Sequence, residues 1–334
     1  MSTAPTSSEN NQPPILIRSD RLTVEIAPPG SVYRGTRFDW TGFITQVTLD
    51  GAHTFCVPES LELGRGTGGI GLCNEFGNEK PVGYAEAQPG DVFPKLGIGL
   101  LKRPDGADYN FFRAYEICKL FPVSVETAPG QARFLVEPVD CRGYAVRLTK
   151  TVSVQGNQLQ IAYQLENAGR QPVVTHEYCH NFIGIDRQPI GPDYGLRFPY
   201  PVELEKLTQM LRGMVPPILR RILPVSLLDK LTDSLMKQRM AILEIDGEEI
   251  HFRDIPKDAF YCRLQGFTQT QSPQWELVHL SRKMGIRETD DFAPARIAVW
   301  GTTHVVSAEV FIDINLQPGE MLSWTRRYEF LTLV

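Results

Sequence analysis

Residues 173–183 read Val173-Val-Thr-His-Glu-Tyr-Cys-His-Asn-Phe-Ile183, and the fold turns on whether this stretch is helix or strand. Taken literally, His176-Glu177-Tyr178-Cys179-His180 has the His-Glu-x-x-His spacing of zinc peptidases, which works only on a helix that puts both imidazoles on one face. The surroundings argue otherwise. Val173, Val174 and Thr175 are β-branched, Asn167-Ala-Gly-Arg-Gln-Pro172 is a turn leading in, and Gly184 follows closely. These features predict a strand. Alternate side chains of a strand share a face, so His176, Tyr178 and His180 fall on one side and Glu177 and Cys179 on the other. Such a polar row faces a ligand pocket or water; two hydrogen-bonded surface histidines are the plain alternative.

Working outward, the same texture recurs. Leu22–Ala27 and Gly42–Leu49 alternate apolar and polar residues, the second ending in the turn signal Asp50-Gly51. Ala145–Val154 and Gln158–Leu165 flank a Gln155-Gly-Asn157 turn, and further strands are expected at 241–245, 275–280, 296–300, 307–314 and 321–333. The pattern predicts a mainly β protein, a large antiparallel sandwich occupying residues 15–334 as one domain. Between Pro201 and Met240 the leucines recur at helical spacing, broken by Pro216, Pro217 and Pro224, which predicts a short helical insertion at about 201–240. Its apolar stripes need burial, so a flap or a homo-oligomer contact is expected of it.

The 334 residues carry a formal net charge of -5 and no long basic run, so nucleic acid is a poor partner. Met1–Pro14 is polar and Pro-rich, with neither the charged start nor the apolar core of a secretory signal, and reads as a disordered tail. No stretch is apolar and long enough for an integral membrane segment. The six cysteines include no Cys-x-x-Cys pair. A cytoplasmic protein without metal or cofactor is the expectation.

Thr175-His176-Glu177-Tyr178, followed by Asn181-Phe182, resembles the Thr-Asn-His-x-Tyr-Phe-Asn signature of the galactose mutarotases (aldose 1-epimerases), though it lacks the Asn before His176. Ser307-Ala-Glu-Val-Phe311, with Leu316-Gln-Pro-Gly-Glu320 and Arg327-Tyr-Glu-Phe330 after it, is similar to that family's C-terminal ending, and Trp40–Gly51 to its opening. The resemblance implies a galactose mutarotase-like sandwich, a saccharide or sugar derivative as partner, and an isomerase in which His176 is the acid on the ring oxygen and Glu309 the base at the anomeric hydroxyl. The upstream histidine of the family has no counterpart; Val92-Phe-Pro-Lys-Leu-Gly-Ile-Gly99 offers Lys95 instead. Its absence keeps open a non-catalytic sugar-binding module on the same fold, and another sugar epimerase or a lyase is a third reading. The substrate-binding candidates are Arg34 and Arg37, which alternate with aromatics and can fork onto hydroxyls, together with Glu75, Lys95, Tyr178, His180 and Trp300.

Overall fold

A computed structural model describes residues 12–205, 241–268 and 272–333. Val173–Asn181 is a nine-residue strand, with its histidines and its glutamate on opposite faces. It lies near the middle of a ten-stranded antiparallel sheet. In spatial order that sheet runs Ile15–Arg18, Leu22–Ala27, Phe43–Leu49, Leu72–Phe76, Val173–Asn181, Val305–Leu316, Arg296–Thr302, Phe260–Gln265 and Glu203–Leu204, with His53–Thr54 appended to Phe43–Leu49. A second ten-stranded sheet runs Leu243–Asp246, Glu249–Phe252, Tyr194–Arg197, Gln274–His279, Met284–Asp290, Met321–Thr332, Gln158–Asn167, Val146–Gln155, Gln131–Val136 and Val123–Ala128.

Alternation builds the sandwich. Along Val146–Gln155 buried residues alternate with half-buried ones, and its partner Gln158–Asn167 does the same, so each strand gives one face to the core. Val24, Val47, Val310 and Ile312 of the first sheet meet Phe134, Leu148, Val152 and Trp324 of the second. The turn signals act as read: Asp50 and Gly51 have φ of 53° and 70°, and Gly156 a φ of 55°, the left-handed region that tight hairpins need.

The first sheet is also covered on its outer face. A small sheet of Val92–Lys95, Gly99–Lys102 and Ile117–Leu120 sets Phe93 and Leu101 against Phe43, Cys73, Phe182 and Val305, with Phe38, Tyr84 and Tyr115 from loops between them. Leu72–Phe76 is therefore buried at every position and Val305–Leu316 over its first eight residues. Polar residues on these strands cannot reach bulk water and must find partners inside.

The helical insertion expected at about 201–240 begins instead with a short strand, Glu203–Leu204, paired to Leu264 and Gln265. Residues 206–240, and the oligomer contact expected of them, lie outside the described residues. The helical segment among the described residues is a single 3-10 turn at Ile185–Arg187, and no helix there is long and apolar enough to cross a membrane. All six cysteines are free thiols, buried except Cys118.

Candidate active site

The outer face of the first sheet carries three successive rungs of side chains. On one rung His180 pairs in register with Cys73, faces Glu309 on the next strand, and Glu309 is followed by Ala298 and then Arg263. The neighbouring rung is Glu75, Tyr178, Phe311 and Arg296, and the third pairs His176 with Asp313. Rungs on one face are about 7 Å apart, so His176 lies roughly 13 Å along the strand from the Glu309 rung.

At the His180–Glu309 rung the ladder is interrupted. The ladder joining Val173–Asn181 to Val305–Leu316 runs as far as Tyr178 opposite Phe311 and resumes at Ile183 opposite Val306. In the gap the Asn181 backbone N–H donates to Ser307 Oγ at 2.9 Å, and the Asn181 side-chain amide donates to the Ala308 carbonyl at 2.7 Å. Side chains thus replace ladder bonds where His180 Nε2 and Glu309 Oε1 stand 3.2 Å apart. Ser307 Oγ donates to the same oxygen of Glu309 at 3.4 Å. His180 is stacked on Phe182 with 3.9 Å between ring centroids and is met edge-on by Trp300 at 5.2 Å.

Burial sets the protonation states. It pushes the Glu309 carboxyl up to about 8, against the pull of Arg37 and Arg296. It also holds the His180 imidazole well below its ordinary value, with Arg37 adding to the effect. Near neutrality the pair is therefore a carboxylic acid 3.2 Å from a neutral imidazole. Ala298 places only a methyl group beside the carboxyl on the next strand.

A charged cluster flanks the pair. Arg37 Nε donates to Glu75 Oε2 at 2.9 Å, its Nη2 donates to the Tyr178 hydroxyl at 3.0 Å, and that hydroxyl donates to Glu75 Oε2 at 2.7 Å. Lys95 Nζ donates to the Phe76 carbonyl at 2.6 Å and lies 3.6 Å from Glu75 Oε1, under the Tyr109 ring. Burial brings Lys95 down to about 8, with Glu75 opposing. Glu75 Oε1, Tyr109 Oη and His180 Nδ1 are buried without a hydrogen bond, a set of unmet polar groups of the kind that a ligand completes.

His180, Glu309, Arg37, Glu75, Lys95, Tyr178 and Trp300 are thus gathered in one region. Arg34 is exposed and bonds back to the Gly30 carbonyl, away from it. His176 is half-buried, two rungs from Glu309, and its Nε2 is held by Asn78 Oδ1. Because Val173–Asn181 is a strand, His176 and His180 do not have the helical juxtaposition that a zinc peptidase motif uses. Among the described residues no cluster of three or more His, Cys, Asp or Glu is arranged to hold a metal. Ser307 and Phe311 share Glu309's face by simple alternation and were within reach of sequence reasoning. Arg296, Tyr109 and Asn78 arrive through pairing and loop packing, which local sequence does not reveal.

No protein-family model matches this chain, and no curated protein does. Solved structures match it over nearly its whole length. The Slr1438 protein of Synechocystis sp. PCC 6803 is 13% identical with a TM-score of 0.55, covering 99% of this chain and 100% of that one. A galactose mutarotase related enzyme from Lactobacillus acidophilus is 12% identical with a TM-score of 0.54, covering 96% and 98%. The GalM/aldose epimerase homologue from C. elegans is 11% identical with a TM-score of 0.53, covering 96% and 99%. At these identities the likeness is one of fold, and the chain has the galactose mutarotase-like fold.

Proposed function

We propose that this protein is an aldose 1-epimerase-like isomerase that interconverts the anomers of a sugar at the His180–Glu309 pair. The observation that carries this reading is the 3.2 Å apposition of imidazole and carboxyl in a ladder gap of the sheet, on a fold whose neighbours bear epimerase and mutarotase names. A protonated Glu309 donates to the ring oxygen while the lone pair of His180 Nε2 takes the proton of the anomeric hydroxyl. The bond from C1 to the ring oxygen breaks, a C1 carbonyl forms, and a carboxylate is left beside an imidazolium. After rotation about C1–C2 the ring oxygen attacks the other face of C1. It returns its proton to Glu309, and His180 returns the other to the carbonyl oxygen. The two groups thus pass from neutral pair to ion pair and back, a cycle favoured by their closeness. Glu75, Arg37 and Tyr178 are the groups to hold neighbouring hydroxyls.

The test is NMR exchange between anomers for a panel of neutral aldoses. Wild type is expected to accelerate exchange, and Glu309→Gln and His180→Asn are each expected to lose about 10² to 10⁴ fold. Saturable sugar binding with no exchange in wild type would replace this reading with that of a binding module.

A further inference from the structure

Two cavities adjoin the candidate active site and share a wall. One, of about 510 Å³, is bordered by His176, Phe311 and Arg296; the other, of about 900 Å³, by Tyr84, Tyr109 and Tyr144; Glu79, Lys80 and Val174 line both. Neither is lined by His180 or Glu309, but each is lined by a ring that packs on a residue of the site. Phe311 stacks on Tyr178 at 4.3 Å, and Tyr109 covers Lys95 at 5.2 Å.

We propose that this double cavity binds the rings of a neutral oligosaccharide, a ligand class that rests on the epimerase reading above. Four observations lead there. First, the guanidinium charges are spent. Arg296 Nη1 is 2.8 Å from Glu79, and Arg263 is 3.6 Å from the same carboxylate. Arg103 donates to the carbonyls of Tyr84, Ala87 and Asp105. Lys80, Arg296 and Arg103 are set against Glu79, Asp313, Glu86 and Asp108, three positive charges to four negative, which gives no preference for a phosphorylated or acidic sugar. Second, donors are left over. Arg296 Nε and Tyr109 Oη are buried and without a hydrogen bond, and each belongs to a residue lining one of the cavities. Buried donors in that state are completed by an uncharged acceptor such as a hydroxyl. Third, His176 is equipped for the same task. Since an amide oxygen only accepts, Nε2 carries the hydrogen toward Asn78 Oδ1, and Nδ1 is left as an acceptor. Fourth, the rings of Tyr84, Tyr109 and Tyr144 supply apolar surface for the C–H face of a pyranose.

Val174 offers a clean perturbation. It lines both cavities, lies on the same strand face as His176 and His180, and is 63% exposed, so Val174→Trp fills the shared wall without touching the core. The experiment is calorimetric titration of the full-length protein with neutral gluco- and galacto-oligosaccharides of one to four rings, alongside NMR anomer exchange. Wild type is expected to bind about ten-fold more tightly for at least one added ring, a step of about 1.4 kcal/mol, and Val174→Trp to lose that step. Equal affinity for one ring and three, tighter binding of a sugar 6-phosphate than of the neutral trisaccharide, or no glycan binding would each overturn the proposal. Ring-count dependence kept without any anomer exchange would sustain it and sink the epimerase reading alone.

Discussion

Glu309 is the residue where burial has its sharpest chemical effect. Its carboxyl starts from an ordinary value of 4.5 and stands at about 8 in the folded chain. Between those values the folded protein holds a proton that the unfolded chain has released, so this residue makes stability fall as pH rises through the window, with no further loss above about 8. A glutamine has the shape without the titration. Glu309→Gln is expected to be more stable than wild type, with a gap that widens from pH 5 to pH 8 on the order of 1.4 kcal/mol per pH unit and then levels off. Urea denaturation at a series of pH values measures this, and a gap that stays constant with pH would refute the raised carboxyl. The same proton governs turnover: exchange is expected to decline above pH 8 as the acid ionises. It should hold well below the ordinary pKa of histidine, because His180 stays neutral there.

At the scale of the element, the pairing of Val173–Asn181 with Val305–Leu316 matters more than either strand alone. Ser307 fills the ladder gap by accepting the Asn181 N–H and contacting Glu309. Ser307→Ala leaves a buried N–H unmet, at a cost of about 1 to 3 kcal/mol. Since the hydroxyl lowers the Glu309 carboxyl slightly, its loss is expected to move the alkaline limb of the pH profile upward, and an unmoved limb with only lowered stability would reduce Ser307 to a structural role. This element also shows what the sequence could say. The β-branched entry and the alternation disclosed strand, face and the candidacies of His176, Tyr178 and His180, whereas Glu309 came from the resemblance of Ser307–Phe311 to the family's C-terminal ending. Register across strands was not legible. Which histidine meets Glu309 depends on a pairing between residues over a hundred positions apart, and a shift of four residues exchanges His176 for His180.

Across the whole molecule, the two large sheets are joined by buried charge as well as by apolar packing. Arg326 of the second sheet donates through Nη2 to Glu177 of the first at 2.7 Å and lies 3.3 and 3.4 Å from Glu288 and Asp290. Glu177 Oε1 accepts from Asn74, whose carbonyl oxygen accepts from Lys150, and Lys150 in turn pairs with Asp39 at 2.5 Å. Glu288 extends the chain to Asn181, and so to the ladder gap behind His180. Burial, reinforced by Glu288, holds Asp290 well above the usual carboxylate range, so it need not add a charge. What cannot be relieved in the same way is the loss of the single guanidinium around which Glu177 and Glu288 are arranged. Arg326→Met is expected to destabilise the fold by about 3 to 5 kcal/mol, the cost of leaving buried carboxylates without their cation. Arg327→Met next to it removes a pair that is about half exposed, with Asp291, and is expected to stay within about 1 kcal/mol of wild type. Denaturant midpoints of the two variants, read at equal slope, decide the matter. If they shift by similar amounts, the sheets are held by apolar contact alone, and the network behind the ladder gap has no part in fixing how they meet.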